Sequence, residues 1–526
     1  MGVLDYIWLG ILAVFQGPEL AILGIGLPAT PVMVLCGFLL GIAVGATPGL
    51  AGPMAMAISL PLLISAFGFN ADALLPVLGF LIGVMKGATI GGAVPAILFN
   101  TPGTPDAYMT TLDGYPMTQR GQAKKALRIA HVSSASGDTF SDIVLILCAP
   151  FLAVLVEAYL DLPEKTALLI LSLAFIAAVI GNSVGKGLIS LGLGLLAAYI
   201  ATGEDFYPRL SLDTQMLAQG FPITTAVLGV LILGEVFKGI EDLWRGDRHA
   251  ARLPHVEDQG KQGLTGKDLR RIAPHIGRSA VIGTAIGALP GIGSTLAATL
   301  GYSVGLARHA RSGGAADGRF GDGIPEGIAA TEAANSSVSG ANLIPVLSLG
   351  IPGNAAAVFL ILAAESIGGF NPGPTVFKFT TDTVNPELVI AFGLFTAMFI
   401  ANALNWTIGG LFMRSMGVMI RIPKQILLPA VLLLTLTAIY VQETRIEAIW
   451  FAIGFGVLGY LMRRIDMSPL PFVIAFILGG KLEETARQAF AATGGDPYFL
   501  ISSPTAIVLT ALAVGVVVLA GRPRKT

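Results

Sequence analysis

Four Pro-Gly pairs set in apolar sequence are the residues best placed to do chemistry in this chain. Thr47-Pro48-Gly49-Leu50 opens one apolar segment, and Asn100-Thr101-Pro102-Gly103-Thr104 closes the next. Later, Leu289-Pro290-Gly291-Ile292 opens a similar segment, and Gly350-Ile351-Pro352-Gly353-Asn354 follows a polar-rich helix. Matching pairs stand 242 and 250 residues apart, so the spacing is nearly preserved. Proline removes an amide donor and glycine weakens a helix, so such a segment stops partway across a membrane. Hydrocarbon tolerates the freed backbone groups only where protein, water or a ligand partners them. A helix N-terminus after the break presents free N–H groups and a positive dipole end, suited to a carboxylate. Paired breaks in two halves point to a transporter binding site. The candidate substrate-binding residues are therefore Pro48, Gly49, Asn100, Thr101, Pro102, Gly103, Thr104, Pro290, Gly291, Pro352, Gly353 and Asn354. A single Pro-Gly pair in a membrane protein is more often a kink or a loop tip than a site; the symmetry of four is what argues for a site.

Lys86 joins this set, because a charge inside an apolar span is a functional hypothesis by default. Its ammonium can meet a substrate carboxylate; alternatively it snorkels to an interface or pairs with Asp138 or Asp142. Glu332 and Asn335, with Ser336, Ser337 and Ser339, form a polar stretch in an apolar half-helix. Their oxygens suit a sodium ion or a proton relay, so Glu332 and Asn335 are candidate ion-coupling residues, and Asn335 also a substrate contact. The other reading is helix–helix glue. Asp113-Gly114-Tyr115-Pro116 reads as a turn in a cytoplasmic loop. The histidines show no metal spacing, and no cofactor is expected beyond a coupling ion, sodium or proton.

The elements that must position these residues are membrane helices. Of 526 residues, 54% are apolar and 12% charged, about half the charged share of a soluble domain. The 66 glycines and 31 prolines lie within apolar stretches, as transporters use them to break helices. A net charge of −1 gives no footprint for nucleic acid. Cys36 and Cys148 read as small membrane-packed residues. Clean spans fall at about 20–46, 74–99, 139–160, 165–181, 186–202, 221–239, 387–412, 424–441, 446–462 and 502–521, with interrupted ones near 48–66, 279–306, 326–350 and 352–370. The expectation is an all-α polytopic membrane protein of about 10–12 transmembrane helices with broken or re-entrant hairpins, in two related halves as inverted repeats. Residues 1–240 form the first half, 241–278 a charged connector, and 279–526 the second half. Basic residues place loop 105–130 and the connector, with eight Lys or Arg, in the cytoplasm. No Lys or Arg precedes Lys86, so the first apolar segment reads as a retained span with an external N-terminus.

At these motifs the sequence resembles the TctA family, the large membrane subunit of tripartite tricarboxylate transporters. The likeness runs through Gly45-Ala46-Thr47-Pro48-Gly49-Leu50, Lys86 to Gly92, Ala96 to Thr104, and Asp113-Gly114-Tyr115-Pro116-Met117. It continues through Pro290 to Gly293, Phe320-Gly321-Asp322-Gly323, Glu326 to Asn335, Leu343-Ile344-Pro345, Leu349 to Asn354 and Asn371-Pro372-Gly373-Pro374. The chain departs from the family pattern at Lys86, Thr331 and Ser336, close to the candidate site. The resemblance implies a secondary active importer in a bacterial inner membrane, driven by a proton or sodium gradient. A periplasmic solute-binding protein would deliver a small carboxylate, and a small four-span membrane subunit would accompany this one in the lipid. It also implies an elevator-like motion of two hairpins. The rival classes are a channel-like or structural membrane subunit and, further off, an intramembrane enzyme. H-E-x-x-H is absent, and the aspartate of Phe320-Gly321-Asp322-Gly323 has no matching second motif.

Overall fold

A computed structural model describes residues 2–22, 24–47, 50–180, 183–201, 220–245, 263–291, 293–311, 318–379, 383–415 and 424–521. The protein is an all-α polytopic membrane protein. Helix α1 (Val3–Phe15) leads into a β-hairpin, Glu19–Ile22 against Ile25–Pro28, turned at Gly24 with φ +82°. The span expected at 20–46 is therefore shorter: its first third is this hairpin, and only α2 (Ala29–Gly45) is helical. There follow α3 (Gly52–Phe67), α4 (Leu74–Phe99), α5 (Tyr108–Gln119), α6 (Ala123–Tyr159), α7 (Leu162–Val179) and α8 (Val184–Ala201). Helix α9 (Ile223–Leu228) passes through a π turn into α10 (Gly234–Trp244). The second series is α11 (Gly266–Gly287), α12 (Ser294–Arg311), α13 (Pro325–Ala341), α14 (Leu343–Leu349), α15 (Ala355–Ile367) and α16 (Pro386–Leu404). After another π turn come α17 (Gly410–Ser415), α18 (Lys424–Glu443), α19 (Glu447–Arg464), α20 (Leu470–Ala492) and α21 (Pro504–Ala520). Six of the described helices, including α4, α6 and α7, are long and apolar enough to cross a membrane, and six shorter apolar helices accompany them.

The α4 helix ends at Phe99 and α14 at Leu349, 250 residues apart. In each series a π turn interrupts one long helix, and a side chain from elsewhere satisfies the carbonyls it frees. Arg463 donates to Val230 O and Leu231 O, both at 2.8 Å, and His131 Nε2 lies 2.8 Å from Asn405 O.

Contacts divide the chain into two compact units, each assembled from discontinuous segments. The first comprises residues 1–152, 248–289 and 293–423; the second 153–247, 290–292 and 424–526. These units cut across the sequential halves, taking the early helices of both series into one and the late helices into the other. Within the second unit the packing is reciprocal: α8 lies on α20, and α19 lies on α10.

The first unit is built on a close approach of α2 and α4. Gly37, Gly41 and Gly45 face the carbonyl oxygens of Phe80, Val84 and Ala88. Gly83, Gly87 and Gly91 face those of Val34, Phe38 and Ile42 in return. Small residues every fourth position let membrane helices touch backbone to backbone. In the second series Gly283 and Gly287 of α11 meet Ala334 and Val338 of α13 in the same manner. On the connector side, Thr265 and Asp268 form a capping box at the start of α11, and Lys125 Nζ reaches Asp268 Oδ1 at 2.7 Å. Partial burial pushes the Asp268 carboxyl up, but Lys125 and Thr265 outweigh it and hold it at about 2. This pair joins the two loops that the basic residues assign to one side of the membrane. The thiols of Cys36 and Cys148 are free and lie exposed on their apolar helices.

A Gly87→Leu variant drives its side chain into Phe38 O and Ile42 N. It is expected to lose several kcal/mol, more than the ~1–3 kcal/mol of ordinary overpacking, because backbone and not side chain is in the way. A thermal melt in detergent against wild type checks this, with Gly192→Leu, which meets no neighbouring atom, as the matched control.

Candidate functional site

The first broken hairpin begins where α4 runs out. Pro95 sits inside the last turns, and Asn100 closes the helix in the left-handed conformation at φ 55°. The amide of Thr101 then donates back to Pro95 O at 3.3 Å, a Schellman-type closure. The second hairpin repeats this 250 residues later: Gly350 is left-handed at φ 70°, and the Ile351 amide donates to Pro345 O at 3.2 Å. The tips match as well. Gly103 donates its amide to Gly92 O at 3.3 Å, and its missing side chain would strike Gly45 O and Pro95. Gly353 lies against Asn342, where a Cβ would come within 3.1 Å. Thr104 precedes a short 3-10 turn, and Asn354 Oδ1 caps α15 by accepting from the Ala357 amide at 2.9 Å.

Helix α13 stops at Ala341 and restarts as α14 after Asn342, so the second hairpin has its own internal break. Several polar groups around these breaks are buried with no protein partner. They are Thr104 Oγ1, Ser336 Oγ and both side-chain amide atoms of Asn335 and of Asn342. Buried donors and acceptors are normally paired, and a concentration of unpaired ones is what a polar ligand would satisfy. Asn342 was not among the sequence-derived candidates; its signal is its register, 250 residues after Gly92 in the repeat.

The other candidates are spread more widely. Asn100 is exposed and acts through its backbone, while Thr101 Oγ1 is turned back to Phe99 O at 3.2 Å. Pro102 is half-buried and Pro352 buried at their tips. Gly291, at φ +81°, packs on Ile176, and residues 290–292 belong to the second unit, whereas both hairpin tips belong to the first. Pro48 and Gly49 lie outside the described residues.

Lys86 takes the pairing alternative. Its Nζ lies 2.7 Å from Asp138 Oδ1, 2.7 Å from Asp142 Oδ2 and 3.3 Å from Asn402 Oδ1, fully buried. Its ammonium is thus already shared by two carboxylates and is not a spare charge for a substrate. Glu332 is equally buried but has no cation among the described residues: Thr110 donates to Oε1 and Ser134 to Oε2, the latter at 2.9 Å. Ser134, Asp138 and Asp142 follow one another at four-residue spacing, so one stripe of α6 carries all these acceptors and donors towards α13 and α4.

Asp113 corrects the turn expected at 113–116. That segment is the helix α5, with Pro116 inside it, and Asp113 is buried. Its Oδ1 accepts from the amides of Gly321, Gly323 and Ile324 at 2.9–3.0 Å, and Oδ2 accepts from Tyr302 OH at 3.0 Å. The Phe320-Gly321-Asp322-Gly323 motif is therefore the donor half of a latch that fixes the entry to α13, and Asp113 is the acceptor half.

Broken, paired hairpins with buried polar groups at their tips, in a polytopic helical membrane protein, are the arrangement of a transporter's membrane component. The comparisons agree: residues 32–474 match the tripartite tricarboxylate transporter TctA family, and the chain belongs to it. It is 31% identical over 513 residues, 95% of each chain, to an uncharacterized 52.8 kDa protein in the TAR-I ttuC' 3' region of Agrobacterium vitis. An uncharacterized protein in the TAR-II ttuC' 3' region of the same organism is 31% identical over 247 residues, 46% of this chain and 94% of its own length. No solved structure matches.

Removing one partner of a buried ion pair leaves the other uncompensated, at ~3–5 kcal/mol. Lys86→Met is expected to cost at least that much, because it strands two carboxylates. Adding Asp138→Asn and Asp142→Asn should recover most of the loss; melting temperatures of the single and triple variants test the pairing.

Proposed function

We propose that this chain carries a small carboxylate, a tricarboxylate, dicarboxylate or related acid, across a bacterial inner membrane. A periplasmic solute-binding protein delivers the acid, and a small four-span membrane subunit works beside this one. Transport is secondary, driven by a proton or sodium gradient, and the chain is a carrier and not an enzyme. The observation that carries this reading is the pair of hairpins with the same left-handed closure and the same glycine tip, both within the first unit. A site borne on one compact unit is what a carrier that moves its site as a body requires.

In this reading Thr104, Asn335 and Asn342 hydrogen-bond the substrate, because their buried polar atoms lack protein partners. Glycines 103 and 353 shape the tips; the contacts of Gly103 are with its own helices, so its role is packing. Glu332 and Asn335 remain the candidates for ion coupling, with Glu332 holding a buried carboxylate on two hydroxyl donors.

Uptake of labelled carboxylates by cells expressing the chain with its binding protein and small subunit tests the proposal, with and without sodium and with and without an uncoupler. Saturable uptake of one acid that needs the binding protein is the expected result. Asn335→Ala and Asn342→Ala should each weaken it by about tenfold, the worth of one hydrogen bond to a charged group, at unchanged membrane yield. Unsaturable flux independent of the binding protein would instead mark a channel.

A further inference from the structure

The Lys86 cluster carries a charge imbalance that the carrier reading does not use. One ammonium faces two carboxylates, so the ionised cluster has a formal charge of −1, and all three side chains are essentially inaccessible. The groups that face it come from four helices. Lys86 comes from α4, Asp138 and Asp142 from α6, the Ser339 hydroxyl on Asp138 Oδ1 from α13, and the Asn402 amide on Asp142 Oδ2 at 2.8 Å from α16. Lys86 is the only cation among these groups. Glu332, the other buried acid of α13, is engaged separately with Thr110 and Ser134. Asp142 Oδ1 is buried and accepts no hydrogen bond.

Net charge in a low-dielectric interior is costly unless it is neutralised. We propose that the Lys86–Asp138–Asp142 cluster, in place of Glu332 and Asn335, binds one proton, shared between the two carboxylates, and that this proton is the ion coupled to transport. One proton brings the cluster to zero charge. Sodium fits poorly, because the lysine ammonium already sits between the carboxylates and would repel a second cation there. The position gives the proton a mechanical consequence. Asp142 Oδ1 lies against Gly340, where a Cβ would collide with it, and Asp138 Oδ1 holds Ser339. Both contacts are within three residues of Asn342, the break between α13 and α14. Loading or losing the proton therefore acts on the hinge of the second hairpin. The proton binding stands on the cluster alone; its coupling to transport rests on the carrier reading above.

Infrared titration of the full chain in lipid vesicles tests the binding. Wild type should show a protonated-carboxyl absorption that is absent from both Asp138→Asn and Asp142→Asn, since either substitution leaves a neutral ion pair. Glu332→Gln assigns any band that persists. If a single variant does not fold, the uncharged triple variant Lys86→Met, Asp138→Asn, Asp142→Asn gives the same comparison. A wild-type spectrum that matches these variants at every pH overturns the proposal. For coupling, the chain is reconstituted with its partner subunits under an imposed pH gradient. One coupled proton supports about tenfold accumulation per pH unit, and Asp142→Asn should abolish that response. Accumulation that follows sodium and ignores the pH gradient overturns the coupling. Wild type that moves no carboxylate at all removes the carrier reading and the coupling with it, while the infrared result still decides whether the proton is bound.

Discussion

Hydrocarbon offers no hydrogen bonds, so a helix can be broken inside a membrane only where protein takes up the backbone groups that the break releases. The interruptions at the hairpin tips, at the π turns and at the entry to α13 follow from that constraint. At the two hairpin tips the chain solves it internally, with a left-handed residue and an amide that folds back on a proline carbonyl. At the two π turns it solves it with a side chain from another helix, Arg463 in one case and His131 in the other. At the entry to α13 it uses a carboxylate, with three amides converging on a single oxygen of Asp113. Each solution needs a particular partner at a particular place, so the breaks also act as fixed points that register the surrounding helices.

Between those points the packing is set by glycine. The α2 and α4 backbones meet because each sets glycines against the other's backbone along the shared face. Such an interface has little room to slide, and it leaves a flanking face of α4, with Lys86, to α6 and α16. The rigid pair thus fixes the ammonium, and the stripe of α6 brings its acceptors to it. A polar seam inside a membrane protein is stable under these conditions because its members are held by apolar packing that they did not create.

Much of this was legible in the residues. The Pro-Gly pairs and their 250-residue register were visible, and so was the oddity of a lysine in an apolar span. The partners Asp138 and Asp142 were visible as one of several alternatives, because helical spacing shows which acids share a face but not which helix that face meets. The span at 20–46 failed because a β-hairpin of apolar residues has the same hydropathy as a helix. Asp113 was misread because Gly114 and Pro116 are turn residues in water, whereas a buried helix tolerates both when its neighbours satisfy the backbone. Pro290 and Gly291 share a motif with the hairpin tips but belong to the other unit, since sequence symmetry says nothing about which unit a loop packs in. Asn342 carried no local signal at all; it becomes conspicuous only once the two series are aligned through their breaks.

The latch between Asp113 and residues 321–324 ties an acceptor in the first series to donors in the second. Neither series is thereby a finished object. A chain released after the first would hold a buried carboxylate with nothing to receive, and a chain beginning at the second would open α13 on three unanswered amides. The latch makes the two parts mutually obligatory: separated at the connector, they would have to find one another in the lipid before either could assume its shape.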